Sequence, residues 1–144
     1  MPILTLTATL SADTRAQLSE WLHSDALLVA CLCAAWCDVC CDYRATFELL
    51  AAQHPDSHFV WIDIEDQADL IGDIDVDNFP TLLLQRGPTV TFFGSVQPGQ
   101  QVTHRLIQSQ REQSLAECAA VALSSPQRRL WQSQFHLARR LGMD

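Results

Sequence analysis

Trp36-Cys37-Asp38-Val39-Cys40 is the stretch on which the reading of this sequence turns. Two cysteines stand three positions apart, directly after an apolar run from Ala26 to Ala35 and before a segment with helical periodicity. The order is strand, tight turn, then thiols on the first turn of a helix. Thiols at i and i+3 on a helix start can close a disulfide within one turn. The first also meets the positive end of the helix dipole and unsatisfied backbone N–H groups, which favour a thiolate. A thiolate attacks disulfides and a thiol scarcely does, so the stretch points to thiol–disulfide exchange.

Upstream, Ile3 to Leu10 reads as a strand. Ser11 is placed to cap a helix from about Ala12 to Leu22, with Leu18, Trp21 and Leu22 on its apolar face. Ala26 to Cys33 is continuously apolar, which suits a strand buried on both faces of a sheet. Downstream, a helix from Cys37 to about Ala52 turns Phe47, Leu50 and Ala51 inward. His58 to Ile64 alternates as a strand, and Ala68 to Ile71 suits a short helix. Thr81–Leu84 and Val90–Phe93 are strands joined by a hairpin at Arg86-Gly87-Pro88. Pro98-Gly99 opens a helical stretch with Val102, Leu106 and Ile107 as its apolar face, continuing loosely from Leu115 to Val121. After Ser124-Ser125-Pro126 a last helix is expected over 126–142, with Leu130, Trp131, Phe135, Ala138 and Leu141 as its stripe.

The chain has 144 residues, enough to bury a real core, and its 48% hydrophobic and 18% charged content is that of a globular protein. No run of apolar residues reaches membrane-spanning length, and Met1-Pro2-Ile3-Leu4-Thr5 carries no secretory pattern, so no membrane is expected and a cytoplasmic location is. Five of the six cysteines crowd into residues 31 to 41, a pattern of catalytic, metal-binding or buried thiols rather than of a secreted disulfide framework. Residues 1–94 carry a net charge of −11 and residues 95–144 of +3. An acidic half bearing the thiols does not suit nucleic acid. All nine basic residues are arginine, which excludes lysine chemistry.

Ala34-Ala35-Trp36-Cys37-Asp38-Val39-Cys40 resembles the active-site stretch of the thioredoxin superfamily. Asn78-Phe79-Pro80-Thr81-Leu82-Leu83-Leu84 resembles its second signature, and Gly94 stands where the family often has a glycine on its last strand. The resemblance covers roughly residues 3 to 120. It implies an α/β, thioredoxin-like fold, a central mixed sheet flanked by helices, over residues 1–122. Residues 123–144 are then a C-terminal helical extension, packed on the domain or on a partner. It implies Cys37 as the exposed nucleophile and Cys40 as the shielded resolving thiol. It implies a substrate surface from Trp36, Phe79, Pro80 and Gly94, with Phe79-Pro80 as a cis-proline loop that bars metal and pairs with an extended substrate. A trans proline opening an edge strand is the plain alternative.

Departures from that pattern concern proton transfer. Asp38 beside Cys37 is expected to disfavour its thiolate and push the couple toward a more reducing potential, unless it only decorates a helix N-terminus. Where the family places a buried aspartate, this chain has Cys31, with Cys33 two residues on and on the same strand face. No carboxylate is expected there. Cys31 and Cys33 read as small buried hydrophobes, or Cys31 as a backup thiol for Cys40. Cys41 reads as half-buried and Cys118 as packing the C-terminal helical region. Trp61 stands where the family often has a lysine. Asp73-x-Asp75-x-Asp77 lacks the glycine and glutamate of a calcium loop. His54, His58 and His104 show no partner spacing, and no metal or other cofactor is expected.

Two functions follow. The first is a cytoplasmic thiol–disulfide oxidoreductase acting on disulfide-containing protein substrates and recharged by a reductase. The second is a binding or scaffold module with a redox-sensitive or vestigial dithiol. In the second the basic C-terminal helix recruits a partner; otherwise it packs on its own chain or joins a homodimer.

Overall fold

Seven consecutive buried residues, Leu27–Cys33, form the central strand of the protein. The computed structural model describes residues 4–6, 12–34, 37–64, 80–87, 89–97 and 99–134. Within them five strands, β1 (Leu4–Leu6), β2 (Leu27–Cys33), β3 (His58–Asp63), β4 (Thr81–Arg86) and β5 (Thr89–Ser95), form one sheet in the order β1-β3-β2-β4-β5. The strand β2 runs parallel to β3 and antiparallel to β4, so the sheet is mixed. Five helices accompany it among the described residues: α1 (Ala12–Leu22), α2 (Asp38–Gln53), α3 (Gln100–Glu112), α4 (Leu115–Ala122) and α5 (Pro126–Gln134). Joining parallel β2 and β3 requires a crossover, and α2 is that crossover.

Each face of the sheet has its own core. Leu28, Ala30, Leu32, Val60, Ile62 and Leu83 meet Leu18, Trp21 and Leu22 of α1 and Trp131 of α5. Leu27, Val29, Cys31, Cys33, Phe59, Leu82 and Leu84 meet Cys40, Tyr43, Phe47, Leu50 and Ala51 of α2 and Ile107 of α3. The alternation of β2 between the two sets is the period of two expected of a strand covered on both sides.

The β4–β5 hairpin turns at Gly87, whose φ of 57° lies in the left-handed region that glycine adopts without a Cβ clash. Leu84 pairs with Phe92 and Gln85 with Val90, which leaves Thr91 as an extra residue, a β-bulge. Its Oγ1 donates to the Leu84 carbonyl at 3.3 Å. The bulge turns Phe92 toward α2 and Val90 toward α1.

Three local expectations are corrected. Cys37 caps α2 rather than opening it, and the helix begins at Asp38. The stretch after Gly99 is two helices, because Ser114 and Glu117 form a reciprocal capping box, both bonds 3.1 Å, that starts α4 afresh. On α3 the buried positions are Thr103 and Ile107, while Val102 is exposed. Thr103 is turned inward by a 3.1 Å hydrogen bond with the buried Tyr43 hydroxyl.

Of the C-terminal stripe, Trp131 is buried and Leu130 is exposed. Trp131 packs edge-on against Phe92 at 6.2 Å between ring centroids. The Gln132 side-chain amide bonds to both main-chain groups of Val90 at 2.7 Å. Ser11, Trp36, the short helix at 68–71, the aspartates 73, 75 and 77, Phe79, Phe135, Ala138 and Leu141 lie outside the described residues.

Candidate active site

The thiols meet where β2 gives way to α2. After Cys33 the Ala34 carbonyl accepts the Cys37 N–H at 3.1 Å, and Cys37, extended at φ −90° and ψ 121°, caps the helix. Its own carbonyl accepts the Cys41 N–H at 3.1 Å, the first turn of α2. Cys37 is half-buried, and Asp38 and Val39 face solvent. Cys40, one turn on, is 1% exposed and faces the sheet.

Cys40 is bonded to Cys33, with their Cα atoms 5.7 Å apart. The spacing of the motif predicts Cys37 as its partner; in this structure Cys37 is instead a thiol. The reason lies in the crossover. Cys33 is the last residue of β2 and points toward α2, so the first turn of the helix sets Cys40 directly over it. Cys31 lies two residues back on the same face, fully buried, and its thiol donates to the Cys33 sulfur at 3.8 Å. Burial pushes the Cys31 thiol far above its ordinary range, with the Arg44 charge opposing. It is therefore held protonated.

A cleft of about 330 Å³ opens beside this cluster, lined by Ala34, Cys40, Cys41, Arg44, Trp61 and Asp63. It lies at the carboxyl ends of parallel β2 and β3, where open α/β sheets bind ligands. A hollow of about 370 Å³ at the other end of β2 is lined by Asp25, Ala26, Leu27, Asp56, Ser57, Arg86 and Arg111. No thiol lines it, so the chemistry belongs to the smaller cleft.

Position 31 carries no carboxylate, but Asp63 brings one to the cleft from the neighbouring strand. Asp63 is the register partner of Cys33 across β2–β3. Half-buried, it lines the cleft with Cys40. Cys41 is exposed rather than half-buried. Trp61, half-buried, packs edge-on against Phe47 at 5.6 Å between ring centroids.

Of the expected substrate surface, Pro80 is buried at the head of β4, and its carbonyl accepts the Val96 N–H at 3.0 Å. Gly94 pairs with Leu82 on β5, and a Cβ there would touch the Phe92 ring at 3.4 Å. Trp36 and Phe79 are outside the described residues.

His54, His58 and His104 do have partners, none of them lining the cleft. His54 Nε2 lies 2.9 Å from His104 Nδ1, and Arg111 Nη1 lies 3.0 Å from His54 Nδ1. His58 stacks on Trp21 at 4.5 Å with planes 9° apart. Sequence spacing missed these contacts because their partners are 37 to 57 positions away. Cys118, buried on α4, donates to Gln113 Oε1 at 3.5 Å. Among the described residues no group of three or more His, Cys, Asp or Glu is placed to hold a metal ion. No described helix is long and apolar enough to cross a membrane.

The arrangement, a buried disulfide beside a half-exposed thiol at a helix N-terminus, can form, break and exchange disulfides. Solved structures of other proteins share the fold. Thioredoxin NaTrxh from Nicotiana alata is 21% identical, with 76% of this chain and 93% of that one covered and a TM-score of 0.65. A mutant thioredoxin from Halobacterium salinarum NRC-1 is 22% identical, covering 78% and 93%, with a TM-score of 0.62. Thioredoxin from Trypanosoma brucei brucei is 16% identical over 78% and 93%, with a TM-score of 0.62. No curated protein matches the sequence. The thioredoxin family model matches residues 9–108, and by that match, together with the fold, the chain belongs to the thioredoxin family.

Proposed function

We propose that this protein reduces disulfides in cytoplasmic proteins, with Cys37 as nucleophile and Cys40 as resolving thiol. The observation that carries the proposal is the gathering of Cys31, Cys33, Cys37 and Cys40 at one end of β2 and the start of α2, with Cys40 already able to enter a disulfide. In the reduced protein the Cys37 thiolate attacks one sulfur of a substrate disulfide. A mixed disulfide forms and the other substrate sulfur leaves as a thiolate. Cys40 then attacks the Cys37 sulfur, closing Cys37–Cys40 and releasing the second substrate thiol. An external reductase restores the dithiol. Trp36, Phe79, Pro80 and Gly94 serve as the surface on which an extended substrate segment lies, with Phe79-Pro80 as a cis-proline loop.

The rival reading, a scaffold with a redox-sensitive dithiol, draws on the same bridge, because Cys40 bonded to Cys33 is withheld from Cys37. Insulin reduction by dithiothreitol separates the two. Catalysis by the wild type that Cys37→Ser abolishes, with Cys40→Ser trapping mixed disulfides, supports the enzyme. Equal rates in wild type and Cys37→Ser sink it.

A further inference from the structure

Cys40 has two cysteine neighbours, Cys37 at the helix cap and Cys33 at the end of β2. Cys37 precedes it by three residues, and side chains at i and i+3 of a helix turn face one another at roughly 5–6 Å between Cβ atoms. Cys33 sits beneath it at a Cα separation of 5.7 Å, inside the range of roughly 4.4–6.8 Å that disulfides span. Both Cys33 and Cys40 are 1% exposed, whereas Cys37 is half-buried at the helix cap.

We propose that Cys33 is a further catalytic thiol, which takes Cys40 from Cys37 and carries the disulfide from the cleft into strand β2. The proposal rests on the oxidoreductase reading above. It starts from the Cys37–Cys40 disulfide left after a substrate has been reduced. Cys33 gives its proton to the carboxylate of Asp63, its cross-strand neighbour at the cleft. The Cys33 thiolate attacks Cys40 Sγ. The Cys33–Cys40 bond forms and the Cys37–Cys40 bond breaks. Cys37 Sγ leaves with the electron pair as a thiolate, and the Asp63 proton passes to cleft water. The step is redox-neutral: one disulfide and one thiol become another disulfide and another thiol.

Three features of the site favour that direction. The leaving sulfur stands at a helix N-terminus, where negative charge is stabilised. Both sulfurs of the new bond are out of water, protected from outside thiols. The Cys31 thiol, 3.8 Å from Cys33, supplies a hydrogen bond to the attacking sulfur and, being held protonated, does not compete for Cys40. The product still holds the oxidising equivalent but again presents a Cys37 thiol, now without its resolving partner. A second disulfide it attacks stays bound as a mixed disulfide until an external thiol releases it.

The full reduced chain, mixed with oxidised insulin, quenched with acid at successive times, alkylated and cut with chymotrypsin, tests this. Cleavage after Trp36 puts Cys33 on one peptide and Cys37 with Cys40 on the next. Cys37–Cys40 is then a loop within one peptide, and Cys33–Cys40 is a cross-link between two. The expected course is loop first, then cross-link, with Cys37 becoming alkylated as the cross-link grows. In Cys33→Ala the loop persists and alkylation of Cys37 is lost. A wild-type loop that persists, with Cys33 alkylated, overturns the inference and leaves the oxidoreductase reading standing. So does a cross-link that appears equally fast in Cys37→Ser. If neither bridge forms on mixing with insulin, both fall.

Discussion

The guanidinium of Arg44 lies 5.1 Å over the ring of Trp61, and the two side chains form one wall of the cleft that contains Cys40. Arg44 also meets Glu48 at 3.3 Å one turn along α2, a largely solvated pair that adds little to stability. Its contribution is a fixed cation beside thiols that must pass through an anionic state.

Arg44→Gln is therefore expected to slow thiol exchange more than it affects folding. A unit charge near a solvated cleft is worth about 1 kcal/mol, or up to about fivefold in rate. The loss of stability is about 0.5–1 kcal/mol from the ring contact. Insulin reduction at low and high salt checks this, since the difference between the proteins shrinks as salt screens the charge. Equal rates at low salt would leave Arg44 a packing role only.

Brief alkylation of the reduced native protein is expected to label Cys37 and Cys41 and spare Cys31 and Cys118. The first two reach solvent, whereas the others are 0% and 2% exposed, and burial keeps Cys31 protonated. Adding denaturant exposes the remaining sites. Mass mapping of Cys31 as fast as Cys37 in the native state would contradict the packing of β2 against α2.

His54 sets an acid limit on stability. Burial, with His104 and Arg111 beside it, holds its imidazole below the ordinary range, so the folded protein favours the neutral ring. As pH falls, the unfolded chain takes up the proton first, near about 6.5, and stability declines below that value until the folded ring also titrates. His58 adds a shift of the same sign through burial. Urea midpoints are expected to be lower at pH about 5.5 than at about 7.5, with a smaller drop in His54→Gln. The same drop in both proteins would assign the effect to other groups.

Tyr43→Phe removes a buried hydroxyl that is hydrogen-bonded to Thr103 Oγ1 at 3.1 Å. Burial pushes the Tyr43 phenol up to about 12, so it remains a neutral hydrogen-bonding group throughout the working range. The expected loss is about 1–2 kcal/mol, read as a lower urea midpoint with an unchanged slope. An unchanged midpoint would mean that water replaces the hydroxyl.

Trp131→Ala is expected to destabilise by about 3 kcal/mol, because the indole belongs to the core formed with α1 and the sheet. Truncation after Ser125 should lower the melting temperature and leave the protomer count by light scattering unchanged. A halved mass would place the helix in a contact between copies.

The parts of the fold that sequence made legible are those with local signals. The unbroken apolar run of β2, the Gly87 turn and the apolar spacing of Phe47, Leu50 and Ala51 each declare themselves within one element. Ser114 and Glu117 declare a helix start as plainly, and that signal was there to read. In the candidate site the placement of Cys37 and Cys40 at the start of α2 was legible. Cys33 as a bonding partner was not, because it depends on how far the chain travels between β2 and α2. Asp63 depends on the parallel register of β2 and β3, and the His54–His104 contact on how α3 crosses α2. Thr91 disrupts the alternation of β5 through a bulge that only its pairing with β4 defines.

The paired hydrogen bonds between the Gln132 amide and Val90 have a consequence for the protein in a crowded cell. Among the described residues β5 ends the sheet on that side, and the last strand of a sheet offers main-chain groups to any chain that can lie alongside. The Gln132 amide occupies the place of a neighbouring peptide group, donating to the Val90 carbonyl and accepting its N–H. It works as a one-residue stopper against stacking of copies. A chain clipped before α5, or not yet synthesised that far, presents Val90 uncovered, and those forms are the ones prone to edge-to-edge aggregation.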